Sequence, residues 1–110
     1  MATSLFDAKA IGAANLLEAA PIVPGAVVSK PLVVTPGCKV IVFAMDAGQA
    51  ISEHKAPFVA TVHVLDGELG FRVAGEERVL RAHDWLVMPP DAPHDLVAVR
   101  PTRFVLSLLK

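Results

Sequence analysis

Hydrophobic positions in the chain are grouped in short runs from about residue 26 onward. The runs are rich in Val, Leu and Ile and are separated by Gly, Pro or Asp residues, as is typical of β-strands and their turns. They cover residues 26–34, 40–45, 58–65, 68–74, 78–81, 85–88, 94–99 and 102–109. About eight strands at this spacing predict an all-β sandwich or barrel.

One turn carries a stronger local signal than the others. The Asp66-Gly67 pair lies between two alternating runs, residues 58–65 and 68–74. An Asp-Gly pair in this position is the strongest short-range signal for a β-hairpin, because glycine readily adopts the positive φ of the tight turn. The sequence therefore predicts a hairpin here.

The pattern before the first strand is helical and brief. Asn15 is a candidate N-cap ahead of Leu16 and Leu17, and Pro21 prevents any continuation. We therefore expect one short helical turn within residues 12–20 and no other helix.

Two runs, residues 40–45 and 85–88, are apolar at successive positions, so both faces of these strands are apolar. An antiparallel strand with one solvated face alternates instead. These runs indicate that the outer face of a sheet is covered, and we expect a second subunit to cover it, with residues 20–35 lying against the partner's sheet. The prediction is a homodimer.

The composition is typical of a compact domain with more apolar surface than a chain of this size can bury. Hydrophobic residues make up 54% of the 110 residues and charged residues 19%. This excludes a disordered tail, which needs low hydrophobicity and high charge. The formal net charge of −1, with no basic run, argues against binding to nucleic acid.

The chain also lacks the features of a membrane or exported protein. Its longest uncharged apolar stretch, Ala19 to Ser29, contains Pro21 and Pro24 and is far shorter than the roughly 20 residues of a spanning helix. Glu18 interrupts the apolar N-terminal pattern that a signal peptide would need. A single cysteine, Cys38, excludes an internal disulfide. We expect a cytoplasmic protein that does not bind membranes.

Two of the four histidines stand in informative surroundings. His54 follows Gly48 by six positions and precedes Gly67, and His94 follows Asp84 and Pro89. These spacings resemble the two motifs of the cupin family, specifically small single-domain, RmlC-like conserved barrels. The resemblance implies a double-stranded β-helix, a jelly-roll barrel, over residues 25–110, preceded by an N-terminal segment of residues 1–24.

The metal motif of the family is degenerate in this chain. The resemblance implies that two histidines and a glutamate of the first motif, with a histidine of the second, bind one divalent metal inside the barrel. Here Ala56 and Ala60 replace the second histidine and the glutamate, and only His54 and His94 remain. Two imidazoles would hold Fe, Zn, Ni, Mn or Cu only weakly.

The alanines also indicate free space beside the two histidines. We expect an apolar cavity that binds a small molecule, formed by His54, His94, Phe58, Trp85 and Met88. His63 alternates with Val62 and Val64 on its strand, so its side chain is predicted to point away from the interior. His83 is expected in a solvated turn.

Function follows less directly, because one fold supports many activities. The favoured hypothesis is a cupin that binds a small molecule near His54 and His94, with or without a weakly held divalent metal. One alternative is a metal-dependent enzyme of the dioxygenase or isomerase type, for which no catalytic residue is assigned. Another is a non-catalytic dimeric structural or sensor protein with a packed interior.

Overall fold

The computed structural model describes residues 4–110, and most of them lie in nine β-strands. The only helix of this part of the chain, α1, covers Leu16–Ala19. The strands are β1 Val27–Thr35, β2 Cys38–Met45, β3 Ala50–His54, β4 Val59–Asp66, β5 Glu68–Val73, β6 Glu76–Arg81, β7 Trp85–Met88, β8 His94–Ala98 and β9 Thr102–Leu109. The predicted all-β class is confirmed, as is the single helical turn.

The strands form two antiparallel sheets. The five-stranded sheet has the order β1-β2-β9-β4-β7, and the four-stranded sheet has the order β3-β8-β5-β6. Strands from both halves of the sequence are interleaved in each sheet, as in a jelly roll. The predicted cupin-type barrel is confirmed.

The main hydrophobic core lies between the sheets. It takes inward-facing residues from seven strands, because successive side chains of a strand point to opposite faces. Its buried members are Met45, Ala60, Val62, Val64, Leu69, Phe71, Leu80, Leu86, Met88, Leu96, Ala98 and Phe104.

The turn at Asp66-Gly67 is not a hairpin, so that prediction is wrong. β4 pairs with β7 and β9, whereas β5 pairs with β6 and β8 in the other sheet. The chain therefore crosses from one sheet to the other at Gly67, whose φ is +91°. A Cβ atom there would collide with the carbonyl oxygen of Pro101. Glycine is needed at this corner for both reasons.

The N-terminal segment covers part of the outer face of the five-stranded sheet. Phe6, Leu16, Ala20 and Ile22 pack against a second hydrophobic cluster that includes Val42. The apolar outer face of β2 is thus covered by its own chain, which corrects the expectation that a second subunit covers it. Residues from Val27 onward form β1, the edge strand that pairs with β2 of the same sheet, and the contact of residues 20–35 with a partner's sheet stays a prediction.

Polar contacts hold this segment in place. The backbone N–H groups of Leu5 and Phe6 donate to the carbonyls of Pro31 and Leu32 at 2.9 and 2.8 Å. Lys30 Nζ donates to the carbonyl of Ala19 at 2.9 Å. Asn15 Oδ1 accepts from the N–H groups of Leu17 and Glu18 and caps α1 as predicted. No helix of the described residues is long and apolar enough to cross a membrane.

Candidate functional site

His54 and His94 lie side by side at one end of the barrel. They are register partners across β3 and β8, and their ring centroids are 4.1 Å apart with an interplanar angle of 61°. The pairing of β3 with β8 shifts between Ile51 and His54. A register shift of this kind re-aims a side chain, and here it brings His54 opposite His94.

Both imidazole rings are fixed in the same tautomer. His54 Nδ1 lies 2.8 Å from the carbonyl oxygen of Ser52, and His94 Nδ1 lies 3.0 Å from that of Ala92. A carbonyl oxygen only accepts hydrogen bonds, so each Nδ1 carries the proton and donates it. In its neutral form, each ring therefore keeps a free lone pair on Nε2, available to a donor group or a metal.

The two histidines differ in their exposure. His94 is 7% exposed, whereas His54 is exposed. The ring of Phe71 stacks against His94, with the two ring centroids 5.9 Å apart. Burial lowers the pKa of His94 below its ordinary value, and the nearby His54 ring lowers it further, although the bond to the Ala92 carbonyl opposes the shift. His94 is therefore a neutral imidazole at neutral pH.

A small cavity lies against the two rings. Its volume is about 30 Å³. It is lined by Phe43, Ile51, His54, Val62, Phe71, His94, Leu96, Phe104 and Leu106. A space of this size holds one or two waters or a methyl-sized group, well below the roughly 300 Å³ at which sites for drug-sized molecules begin. The walls are apolar except at the imidazoles.

Three residues predicted to line the cavity lie elsewhere. Trp85 is 60% exposed on the outer face of β7, so its predicted place in the interior is wrong. Met88 is buried in the main core without reaching the cavity wall, and Phe58 lies beside the C-terminal Lys110. The sequence 85–88 is apolar on both faces, so its pattern left open which face points inward.

The alanines do not leave the predicted space. Ala60 is 3% exposed and pairs with Met88 on one side and Leu108 on the other. Both neighbours pack in or against the main core, and neither Ala56 nor Ala60 lines the cavity. The interior next to Ala60 is occupied by neighbouring side chains.

The remaining histidines lie outside the cavity. His63 is exposed on β4 between buried Val62 and Val64, which agrees with the alternation predicted for this strand. His83 is exposed in the turn before β7, with a φ of +75°.

The donor set does not fit a resident metal of the kind that the family motif binds. Within residues 4–110, no three His, Cys, Asp or Glu side chains are close enough together to hold an ion. The site offers only two imidazole nitrogens, whereas catalytic zinc sites have three protein ligands and structural ones four.

Several lining residues were not singled out by the sequence for this site. Phe71, Ile51 and Leu96 stand on β5, β3 and β8 and surround the histidine pair. Phe71 and Leu96 are buried between less buried neighbours, and this alternation along their runs could have identified them as inward-facing. That signal predicts core residues in general and does not separate cavity from core.

Comparison with known proteins identifies the class. A family model described as "Cupin domain" matches residues 41–108, which is more than half of the chain. The protein belongs to the cupin family. The comparison with curated proteins finds no match.

Solved structures agree with this assignment. A conserved protein of unknown function from Streptococcus pyogenes, SPY1581, has a TM-score of 0.86 and 26% identity, over 98% of this chain and 95% of that one. A Cupin 2 conserved barrel domain protein from Leptotrichia buccalis has a TM-score of 0.83 and 32% identity over 87% of this chain. This chain covers 47% of the Leptotrichia protein, about half its length.

An RmlC-like cupin from Desulfovibrio desulfuricans is also similar. The TM-score is 0.81 and the identity 23%, over 91% of this chain and 97% of that one. This likeness concerns the fold alone.

Proposed function

We propose that this cupin binds a small polar organic molecule at the mouth of its barrel, through Nε2 of His54 and Nε2 of His94. The observation that carries the proposal is the pair of Nδ1 hydrogen bonds to the carbonyls of Ser52 and Ala92. These bonds fix both rings so that two acceptors are presented next to each other. Two neighbouring hydroxyl or amino groups on a ligand would satisfy them.

The size of the cavity limits how the ligand binds. A space of about 30 Å³ accepts only a methyl-sized group or water. The rest of the ligand therefore lies outside, over the exposed His54 ring. The expected class is a compact molecule with adjacent donors, such as a polyol or an amino alcohol, with at most a short apolar end.

A weakly held divalent metal on the same two nitrogens is the alternative. The Nδ1–carbonyl bonds favour it, because metal-ligating histidines usually donate their other ring N–H to such a partner. The number of ligands disfavours it, since only two are present. Enzymatic activity of a metal-dependent type is disfavoured for the same reason.

Side-chain NMR of the histidine rings tests the proposal directly. Nitrogen chemical shifts report the tautomer of each ring, and both should show the proton on Nδ1. The protein is then titrated with a panel of small polyols and amino alcohols and, separately, with Zn²⁺. We expect at least one organic probe to shift both Nε2 resonances in the wild type. In His54→Ala and in His94→Ala, the same probe should no longer shift the Nε2 resonance of the remaining histidine.

The matched control is His63→Ala, which removes an exposed imidazole from the outer face. Binding in this variant should equal that of the wild type. Shifts caused by Zn²⁺ alone, with no response to any organic probe, would replace the proposal by the metal alternative. A neutral ring with its proton on Nε2 instead of Nδ1, at either histidine, would contradict the proposal, because that ring would then offer no Nε2 acceptor.

A further inference from the structure

The outer face of the four-stranded sheet carries an open depression. It measures about 340 Å³ and lies over Gly70 of β5. Gly70 has no side chain, and Val97 Cγ1 leans over it to within 3.1 Å of the place where a Cβ would stand. The depression is bounded by two exposed flanking residues. These are Val97 of β8 and Val79 of β6, which are 41% and 46% exposed. No segment of the described chain packs over this face as the N-terminal segment does over the other sheet.

The strand register arranges this face in rows that run across the sheet. One row is apolar and has the order Ala50, Val97, Gly70, Val79. Large and small side chains alternate along it. The next row has the order Asp95, Arg72, Glu77. Arg72 Nη2 donates to Asp95 Oδ2 at 2.6 Å within the chain.

We propose that a second copy of the chain packs on this face about a two-fold axis that runs between β5 and β8, nearly parallel to the strands. This operation reverses the order of each row. Val97 then enters the depression over Gly70 of the second copy, and Val79 meets the small Ala50. Every large side chain of the apolar row faces a small one, as sheet-on-sheet packing requires.

The charged row fits the same arrangement. Arg72 faces Asp95 of the second copy, and Asp95 faces its Arg72, so opposite charges meet on both sides of the axis. With the pairs already present within each chain, four side chains join in one network. Such a network costs less side-chain ordering than isolated pairs, because each side chain is already held by its neighbour. Glu77 lies at the rim on the edge strand β6.

The alternative orientation fails on shape. A two-fold axis perpendicular to the strands would place Gly70 against Gly70 and Val97 against Val97. The two depressions would then face each other and leave a void, which forfeits contact energy. The two rows of one chain supply the protruding valines, the depression and both charge signs. The face is therefore complementary to itself. An interface of this kind is isologous.

Complementary charge reversals test this arrangement in the full-length protein. Arg72→Glu places Glu against Asp95 of the second copy, and Asp95→Arg places Arg against its Arg72. Each variant alone should dimerise at least about tenfold more weakly than the wild type, because like charges then meet twice. In an equal mixture of the two variants the facing charges are again opposite, so a mixed dimer should form with wild-type affinity.

Sedimentation velocity at about 10 µM gives the species present, since a micromolar Kd then populates both monomer and dimer. Native mass spectrometry with one variant labelled in ¹⁵N separates the mixed dimer from the two homodimers. We expect most of the wild-type protein at about twice the 11.6 kDa chain mass, with a minor monomer fraction. The double variant Arg72→Glu/Asp95→Arg restores the pairs within and between chains, and it should dimerise like the wild type even if a single variant folds poorly.

Trp85→Ser is the control, because it alters the exposed apolar residue on the outer face of the other sheet. It should leave the dimer unchanged. A monomeric wild type, a mixture that dimerises no better than either variant alone, or a dimer lost in Trp85→Ser would each overturn the proposal.

Discussion

The histidine pair owes its chemistry to two backbone carbonyl groups. Each carbonyl lies two residues before its histidine, at Ser52 and Ala92, and accepts from Nδ1. The resemblance to the cupin motifs was enough to select His54 and His94. The tautomers were not predictable, because they depend on the register shift in β3 and on the backbone before β8, which residue spacing does not encode.

His94 should make the stability of the protein depend on pH. Burial lowers its pKa in the folded state, so the unfolded chain binds more protons at mildly acidic pH. The stabilisation by neutral His94 is complete above its ordinary pKa of about 6.5 and is lost as the pH falls through the lower, folded value. The melting temperature should therefore drop between pH 7 and pH 5 in part because of this residue.

Thermal melts of wild type and His94→Gln across this range measure the contribution. The variant should have a lower melting temperature at pH 7 but a flatter dependence on pH. His83→Gln, which changes an exposed histidine outside the core, is the matched control and is melted over the same pH range. Equal slopes for wild type and His94→Gln would show that His94 does not titrate as described.

At the scale of elements, local patterns predicted where strands lie better than how they pair. The Asp66-Gly67 signal correctly marks a turn with positive φ at glycine. Pairing is decided by distant partners: Arg103 on β9 donates to the Asp66 carboxylate from its backbone N–H and from Nη1. Such contacts cross many residues of sequence, so no local window contains them.

Gly67→Ala tests the corner between the sheets. The substitution combines a strained positive φ with a collision against the Pro101 carbonyl, so we expect the free energy of unfolding to fall by about 2–4 kcal/mol. Urea denaturation measures it. Gly37→Ala is the matched control, because a Cβ there meets nothing within 4 Å and φ is not positive; its effect should stay within about 0.5 kcal/mol. Equal effects would contradict this account of the corner.

At the scale of the whole molecule, the apolar residues in excess of the main core lie in two places. Part of it lies between the N-terminal segment and the five-stranded sheet. A further part is exposed, notably Trp85 and Val87 on one sheet and Val79 and Val97 on the other. Composition predicted that apolar surface needs cover. It could not predict that the same chain supplies some of that cover, because segment and sheet are distant in sequence.

Deleting residues 1–24 should therefore destabilise the barrel rather than simply shorten the chain. Buried residues such as Leu32, Val42 and Ala44 would become exposed, with a loss of unfolding free energy on the order of 5 kcal/mol. Urea denaturation measures the loss, and binding of a hydrophobic dye should increase. A deletion variant as stable as the full chain would show that the segment is dispensable.

Two adjacent leucines of α1 provide a finer comparison. Leu16 packs against the second cluster, whereas Leu17 is exposed. Leu16→Ala should lower the unfolding free energy by about 1–2 kcal/mol and Leu17→Ala by less than about 0.5 kcal/mol. Both keep the helix propensity high, so a difference between them measures packing alone.

The order of strands in the larger sheet also governs when the protein can fold. β9, the last strand of the chain, lies between β2 and β4 and pairs with both. Arg103 at its start donates to the carbonyl of Ala20, which ties the end of the chain to its beginning. The five-stranded sheet therefore lacks its central strand until β9 has been made and has joined β2 and β4. A sheet completed by pairing between strands so distant in sequence forms slowly, so the apolar faces of β2 and β4 are open to aggregation until β9 is in place.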